Sequence, residues 1–224
     1  MLEMNTVTFR YSPGGPNVLE NCTLRVRKGS YVSVVGENGS GKSTMLRLFL
    51  GFIKPSEGTV ARRALRTGYV PQKKDFLNAQ FPLTVREMLD SYRALLKIKD
   101  RSVVRESLAR VRMEPFGDAL VGTLSGGQAQ KAFIARALIG EPDLLILDEP
   151  STGVDAKGQA EIYAMLRDLN RDAGITVVSV EHNLDAAILN STLIFHLADG
   201  KGHLCDPEAY AAEALKRLPE ALNA

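Results

Sequence analysis

The run Gly36-Glu37-Asn38-Gly39-Ser40-Gly41-Lys42-Ser43-Thr44 directly follows the β-branched segment Tyr31–Val35, and it constrains this chain more than any other feature. It matches G-x-x-x-x-G-K-[ST], the pattern of a phosphate-binding loop, and it lies where such a loop must lie, after a strand and before a helix. Glycines at these places let backbone N–H groups converge on phosphate oxygens that side chains would otherwise block. The segment from Gly41 to Leu50 has helical composition, so its N-terminal dipole adds to the attraction for an anion. Lys42 is placed to reach β- and γ-phosphates, and the Ser43 hydroxyl to ligate Mg²⁺. Gly36, Asn38, Gly39, Ser40, Gly41 and Thr44 complete the expected nucleotide contacts.

The rest of the chain repeats the strand–helix alternation. Leu144–Asp148, Ile175–Val180 and Thr192–Leu197 read as buried strands, separated by helical patterns at Gly126–Ile139, Ala156–Arg171 and Leu184–Leu189. This order predicts an α/β fold with a mostly parallel sheet covered on both faces. Met4–Arg10 and Leu24–Arg27 instead alternate apolar with polar residues, as half-buried antiparallel strands do, and Gly58–Val70 is expected to join them in a β layer. Pro82 to Arg112 is helical, with Leu83, Val85, Met88, Leu89, Tyr92, Leu95 and Leu96 near a 3.6-residue spacing. Thr84 is expected to cap the first helix in a capping box with Glu87, and Asp100 to cap a second. The tail from Pro207 to Leu222 reads as a terminal helix.

A chain of 224 residues buries roughly 70–75% of its unfolded surface and fits one large domain or two small ones. With 28 basic against 26 acidic residues the net charge is +2, which gives no case for nucleic acid as a principal partner. Cys22 and Cys205 lie far apart and read as free thiols of a reducing compartment. Met1 to Arg10 lacks the pattern of a signal peptide, and apolar runs such as Leu144–Leu147 and Leu193–Ala198 are too short to span a bilayer. Work at a membrane would therefore require a partner.

Asp148 and Glu149 end an apolar strand, so both carboxylates emerge at the carboxyl edge of the sheet, where ligands of open α/β folds collect. Ser125-Gly126-Gly127 opens a helix; Ser125 can cap it, and the glycines leave N–H groups open to a phosphate. His196 reads as a strand-packing residue. His203, Cys205 and Asp206 are too few for a metal site, and Arg62, Arg63 and Arg66 read as a solvated face.

Taken in order, the Gly36–Thr44 loop, Leu124-Ser125-Gly126-Gly127-Gln128 and Leu144–Pro150 resemble the ATPase subunit of ATP-binding-cassette (ABC) transporters. The resemblance covers essentially the whole chain. It implies a P-loop NTPase core, an N-terminal antiparallel β subdomain and an α-helical insertion at about residues 73–123, together forming one ABC domain over 1–224. It further implies a head-to-tail dimer in which Ser125, Gly126, Gly127, Gln128 and Asp155 of one copy contact ATP held by the other. By the same resemblance Asp148 holds Mg²⁺ and Glu149 polarises the attacking water. Gln72, in Tyr69-Val70-Pro71-Gln72, senses Mg²⁺ and water, and His182 contacts the γ-phosphate. The flanks of His182, Glu181 and Asn183, depart from the commoner Ser-His-Asp. Tyr11 is either the aromatic that stacks on adenine or a plain strand residue.

Gly68–Gln72, Phe81–Val85, Ser151–Asp155, Gly158-Gln159 and Tyr163 resemble zinc and manganese importers. Importers of iron or iron chelates are the nearest alternative, followed by soluble ABC ATPases such as those of iron–sulfur assembly. The implied partners are a second copy of the chain, a membrane permease that holds it at the cytoplasmic face of the membrane and, indirectly, a solute-binding protein. Lys73 and Lys74 either face that permease or form a solvated face.

Overall fold

The computed structural model describes residues 2–62, 66–72 and 82–213. They fall into two compact units, one within Met1–Ala64 and Thr176–Ala224, the other within Leu65–Ile175.

In the first unit, β3 (Tyr31–Val35) pairs in parallel with β7 (Thr176–Glu181) and with β8 (Leu193–Ala198). Every residue of β3 and β7 is buried, which suits strands covered on both faces. The helix α1 (Lys42–Leu50) follows β3 through the glycine-rich loop, and α6 (Leu184–Asn190) packs against β3. A second, antiparallel sheet has the order β2-β1-β4, built from β1 (Leu2–Phe9), β2 (Leu19–Val26) and β4 (Glu57–Arg62). The alternating strand pattern near the N-terminus thus forms the expected β layer.

The β layer differs from expectation at one segment. Gly58–Val70 does not act as one piece, because β4 joins the antiparallel layer while β5 (Thr67–Val70) runs parallel to β6 (Leu144–Asp148) in the second unit. Gly68 shows why β5 belongs there, since a Cβ on it would lie 2.6 Å from the Ala137 carbonyl oxygen. The chain also makes an edge strand, β9 (Lys201–Cys205), antiparallel to β8.

The second unit holds β5, β6 and the helices α2 (Val85–Leu95), α3 (Ser102–Arg110), α4 (Gly126–Leu138) and α5 (Ala156–Arg171). Helix α4 is the hub, packing on α2, α3, α5 and β5. Its Arg136 guanidinium lies 5.6 Å from the Tyr92 ring centroid and 5.2 Å from that of Phe133, and burial lowers its pKa. The capping box at Thr84 is present, with Glu87 N–H donating to Thr84 and Glu87 accepting from the Thr84 N–H. Asp100 accepts from Ser102 N–H at 2.8 Å, although the N-cap position of α3 is taken by Arg101 rather than by Asp100 as expected.

Arg62 and Arg66 are more than a solvated face. Arg62 Nη1 donates to the Leu50 carbonyl at the end of α1, and Arg66 pairs with Glu141 and Asp143. Cys22 and Cys205 are free thiols, and burial pushes the pKa of each upward. Residues 207–213 are helical. Arg63, Lys73, Lys74, Phe81 and the tail beyond 213 lie outside the described residues.

Candidate functional site

The first unit presents a phosphate cradle. A Cβ at Gly36 would stand 2.1 Å from the Leu197 carbonyl oxygen, and Gly41 has φ 106° with Leu19 and Val18 against the position of its absent side chain. Only glycine fits at either place, so the loop is wrapped tightly by its own unit. Lys42 Nζ, largely buried, donates to the Gly36 and Glu37 carbonyls at 2.7 Å each. Ser40 Oγ is buried and has no hydrogen-bond partner among the described residues. A buried hydroxyl of this kind costs about 1–3 kcal/mol unless a ligand satisfies it, so the loop fits an anion with several acceptor oxygens. Asn38, Gly39 and Ser43 are exposed along the rim, where a ligand would approach.

Tyr11 stands beside this cradle, 59% exposed, its hydroxyl 2.9 Å from Thr44 Oγ1 and its ring edge-on to Phe9. An aromatic face held this open can take a stacked base, worth about 1–3 kcal/mol. The register of β3 with β7 sets Val35 opposite Glu181, so His182 leaves β7 at the level where the loop leaves β3. His182 is exposed. Its unusual flanks have structural work: buried Glu181 accepts from Ser179 Oγ, and Asn183 caps α6 by accepting from Ala186 N–H at 3.0 Å.

The second unit carries the carboxylates and the exposed helix start. Leu144–Leu147 are fully buried, and Asp148 and Glu149 emerge half-buried at the end of β6. Glu149 takes φ 50°, a left-handed backbone in a non-glycine residue. Its carboxylate accepts from Gln72 Nε2 and from Thr152 Oγ1, the latter at 3.0 Å. Gln72 and Glu149 are thus brought together, as a water-positioning pair would need.

Ser125, exposed, caps α4 through a reciprocal pair: Gln128 N–H donates to Ser125 Oγ, and Ser125 N–H donates to Gln128 Oε1 at 2.9 Å. Gly127 packs close to Gly158, where a Cβ would meet Val154 at 2.6 Å and Asp155 at 2.8 Å. That close approach seats the start of α4 against the loop Ser151–Asp155. Asp155 is exposed and caps α5. Gln159 Nε2 donates to the Val154 carbonyl at 2.8 Å, and Tyr163 OH to Ser151 Oγ at 2.9 Å. Sequence reasoning marked Gly158, Gln159 and Tyr163 as signature residues without a task; their task is to hold this loop. The capping role of Gln128 was legible, since Ser-x-x-Gln is a capping-box spacing.

Residues 19–152 match the family described as ABC transporter. The metal transport system ATP-binding protein of Treponema pallidum (strain Nichols) is 55% identical over 212 residues, covering 95% of this chain and 89% of that protein. The chain belongs to the ABC transporter family. As an ABC ATPase it binds ATP, and it has the α/β P-loop fold of its relatives. The zinc uptake system ATP-binding protein ZurA of Listeria innocua is 37% identical, over 91% of this chain and 86% of that protein. Among solved structures, a metal-chelate type ABC transporter in an inward-facing conformation matches with a TM-score of 0.84 at 26% identity, covering 93% of this chain and 84% of that one. A dimeric bacterial ABC transporter cassette matches at 0.76 and 30%, over 92% of this chain and 99% of that one. Among the described residues of this ABC ATPase, no helix is long and apolar enough to cross a membrane.

Proposed function

We propose that this ABC ATPase drives a membrane permease that imports a metal ion, zinc or manganese. The cargo reading is supported by the names of its relatives, a metal transport system protein and zinc uptake proteins. The observation that carries the motor reading is the pairing of a phosphate cradle around Lys42 with a second, solvent-exposed helix start capped by Ser125. Two copies arranged head to tail would each supply one of these to a shared ATP, as the dimeric cassette relative suggests.

In this reading the Gly36–Thr44 backbone and Lys42 hold the phosphates, and Tyr11 carries the adenine. Ser43, Asp148 and Gln72 would hold Mg²⁺, which would supply positive charge to the phosphoryl oxygens. Glu149, aligned by Gln72 and Thr152, takes the proton of the attacking water, and His182 steadies the γ-phosphate. Ser125, Gly126, Gly127, Gln128 and Asp155 of the second copy close over the same nucleotide. We read residues 1–224 as one ABC domain in which the helices after residue 73 and the groove near Gln72 serve the permease. That permease would hold the chain at the cytoplasmic face of the membrane, with a solute-binding protein as an indirect partner. The likeness to a metal-chelate type transporter makes an iron chelate the second reading.

The test is uptake in cells whose only copy of this gene carries Lys42→Ala. Zinc or manganese accumulation should fall to the level of a gene deletion while iron accumulation holds. Loss of iron alone would replace the cargo reading with the iron-chelate one, and no change in any metal would refute transport of these ions.

A further inference from the structure

Outside the nucleotide machinery, the first unit gathers three metal-ligating side chains. His196 on β8 and His203 on β9 are directly opposed in the antiparallel register. Their rings meet edge to face with centroids 5.2 Å apart. Glu213, from the helical residues 207–213, brings a carboxylate oxygen to 3.5 Å from His203 Nε2. One donor atom from each of the three residues lies within 4.8 Å of the others. Sequence spacing hides this set, because its members come from two strands and a helix.

Each ligand is placed by its own element. His196 is 7% exposed in a strand whose neighbours Phe195 and Leu197 are fully buried, so packing fixes the position of its ring. Tyr210, buried beside Val35, Ala187 and Ile194, anchors the helix that carries Glu213 and sets its ring 5.3 Å from that of His196. Asp206 fixes the start of that helix by accepting from Ala209 N–H at 2.7 Å. Cys205 directs its thiol to the Ile194 carbonyl and stays out of the set.

The geometry points to a divalent-cation site of the zinc type, with His196, His203 and Glu213 as protein ligands and water completing a tetrahedron. Two imidazoles and one carboxylate suit Zn²⁺, whereas Mg²⁺, Ca²⁺ and Mn²⁺ prefer all-oxygen sets. Donors bound at about 2.1 Å to one tetrahedral ion stand roughly 3.4 Å apart, so His203 and Glu213 already have the right separation. The His203 side chain is 51% exposed, which leaves room for the small ring rotation that brings the widest pair together. An ion there would tie β8, β9 and the C-terminal helix into one piece. It would do so next to the phosphate cradle, since Val35 pairs with His196 and the Leu197 carbonyl walls Gly36. The inference rests on this cluster alone and holds whatever cargo the transporter moves.

Zinc titration of the full-length chain against a chromophoric chelator, in excess Mg²⁺, tests it. The wild type should take up one Zn²⁺ that His203→Ala and Glu213→Gln each weaken by more than about tenfold, while Cys205→Ser leaves it unchanged. ATP binding serves as the folding check, because both altered side chains sit at the surface of the unit. X-ray absorption of the zinc-loaded protein should show imidazole scattering and nitrogen or oxygen neighbours at about 2.0–2.2 Å. Absence of zinc uptake, equal affinity in the folded His203→Ala and Glu213→Gln proteins, loss in Cys205→Ser, or sulfur in the first coordination sphere would each overturn the site.

Discussion

Glu149 holds a left-handed backbone conformation that costs a non-glycine residue about 1–3 kcal/mol, and the side chain so aimed receives hydrogen bonds from Gln72 and Thr152. Such strain persists where the aim of a side chain matters more than local stability. Glu149→Gln keeps the shape and an oxygen for those two donors but removes the basic carboxylate. Turnover of ATP should fall by about 10²–10⁴-fold with ATP binding retained, measured as phosphate release beside nucleotide titration. Turnover near the wild-type rate would take the base role from Glu149. At this scale much of the candidate site was legible, because Lys42, Ser43, Asp148 and Glu149 sit in motifs recognisable by their spacing. The orphaned Ser40 hydroxyl and the contact of Gly158 with Val154 were not, because each depends on what the fold brings beside the residue.

Among elements, α2 shows how far local chemistry reaches. The Thr84 N–H first, then its hydroxyl, donate to Glu87 and hold that carboxyl below the ordinary glutamate range. A depressed folded pKa means that this stabilisation is present above the unfolded value of about 4.3 and is lost as pH falls through the lower folded value. Thr84→Ala should cost about 1 kcal/mol in urea unfolding at neutral pH, while Thr84→Ser should cost less. Equal midpoints for Thr84→Ala and wild type would show that the cap contributes nothing. This helix start could be read directly from the sequence, as could α5 at Ala156–Arg171. Strand β9 could not, because Lys-Gly-His-Leu-Cys has too few apolar residues to signal a strand, and only its pairing with β8 makes it one. The division of Gly58–Val70 between two sheets was hidden for a related reason: a short segment carries its propensity but not its partner.

For the whole molecule, the proposed function makes one copy chemically incomplete. The phosphate cradle belongs to the first unit, while the start of α4, where exposed Ser125 is locked to Gln128 in a capping box, belongs to the second. The order of motifs alone predicts a partner copy. The decisive measurement is the solution mass of the Glu149→Gln protein with and without ATP, with Ser125→Arg added in a second protein. Slow hydrolysis should trap Glu149→Gln as a dimer only when ATP is present, and the double variant should bind ATP yet remain a monomer. A Glu149→Gln protein that stays monomeric with ATP bound, or a double variant that still dimerises, would contradict the account.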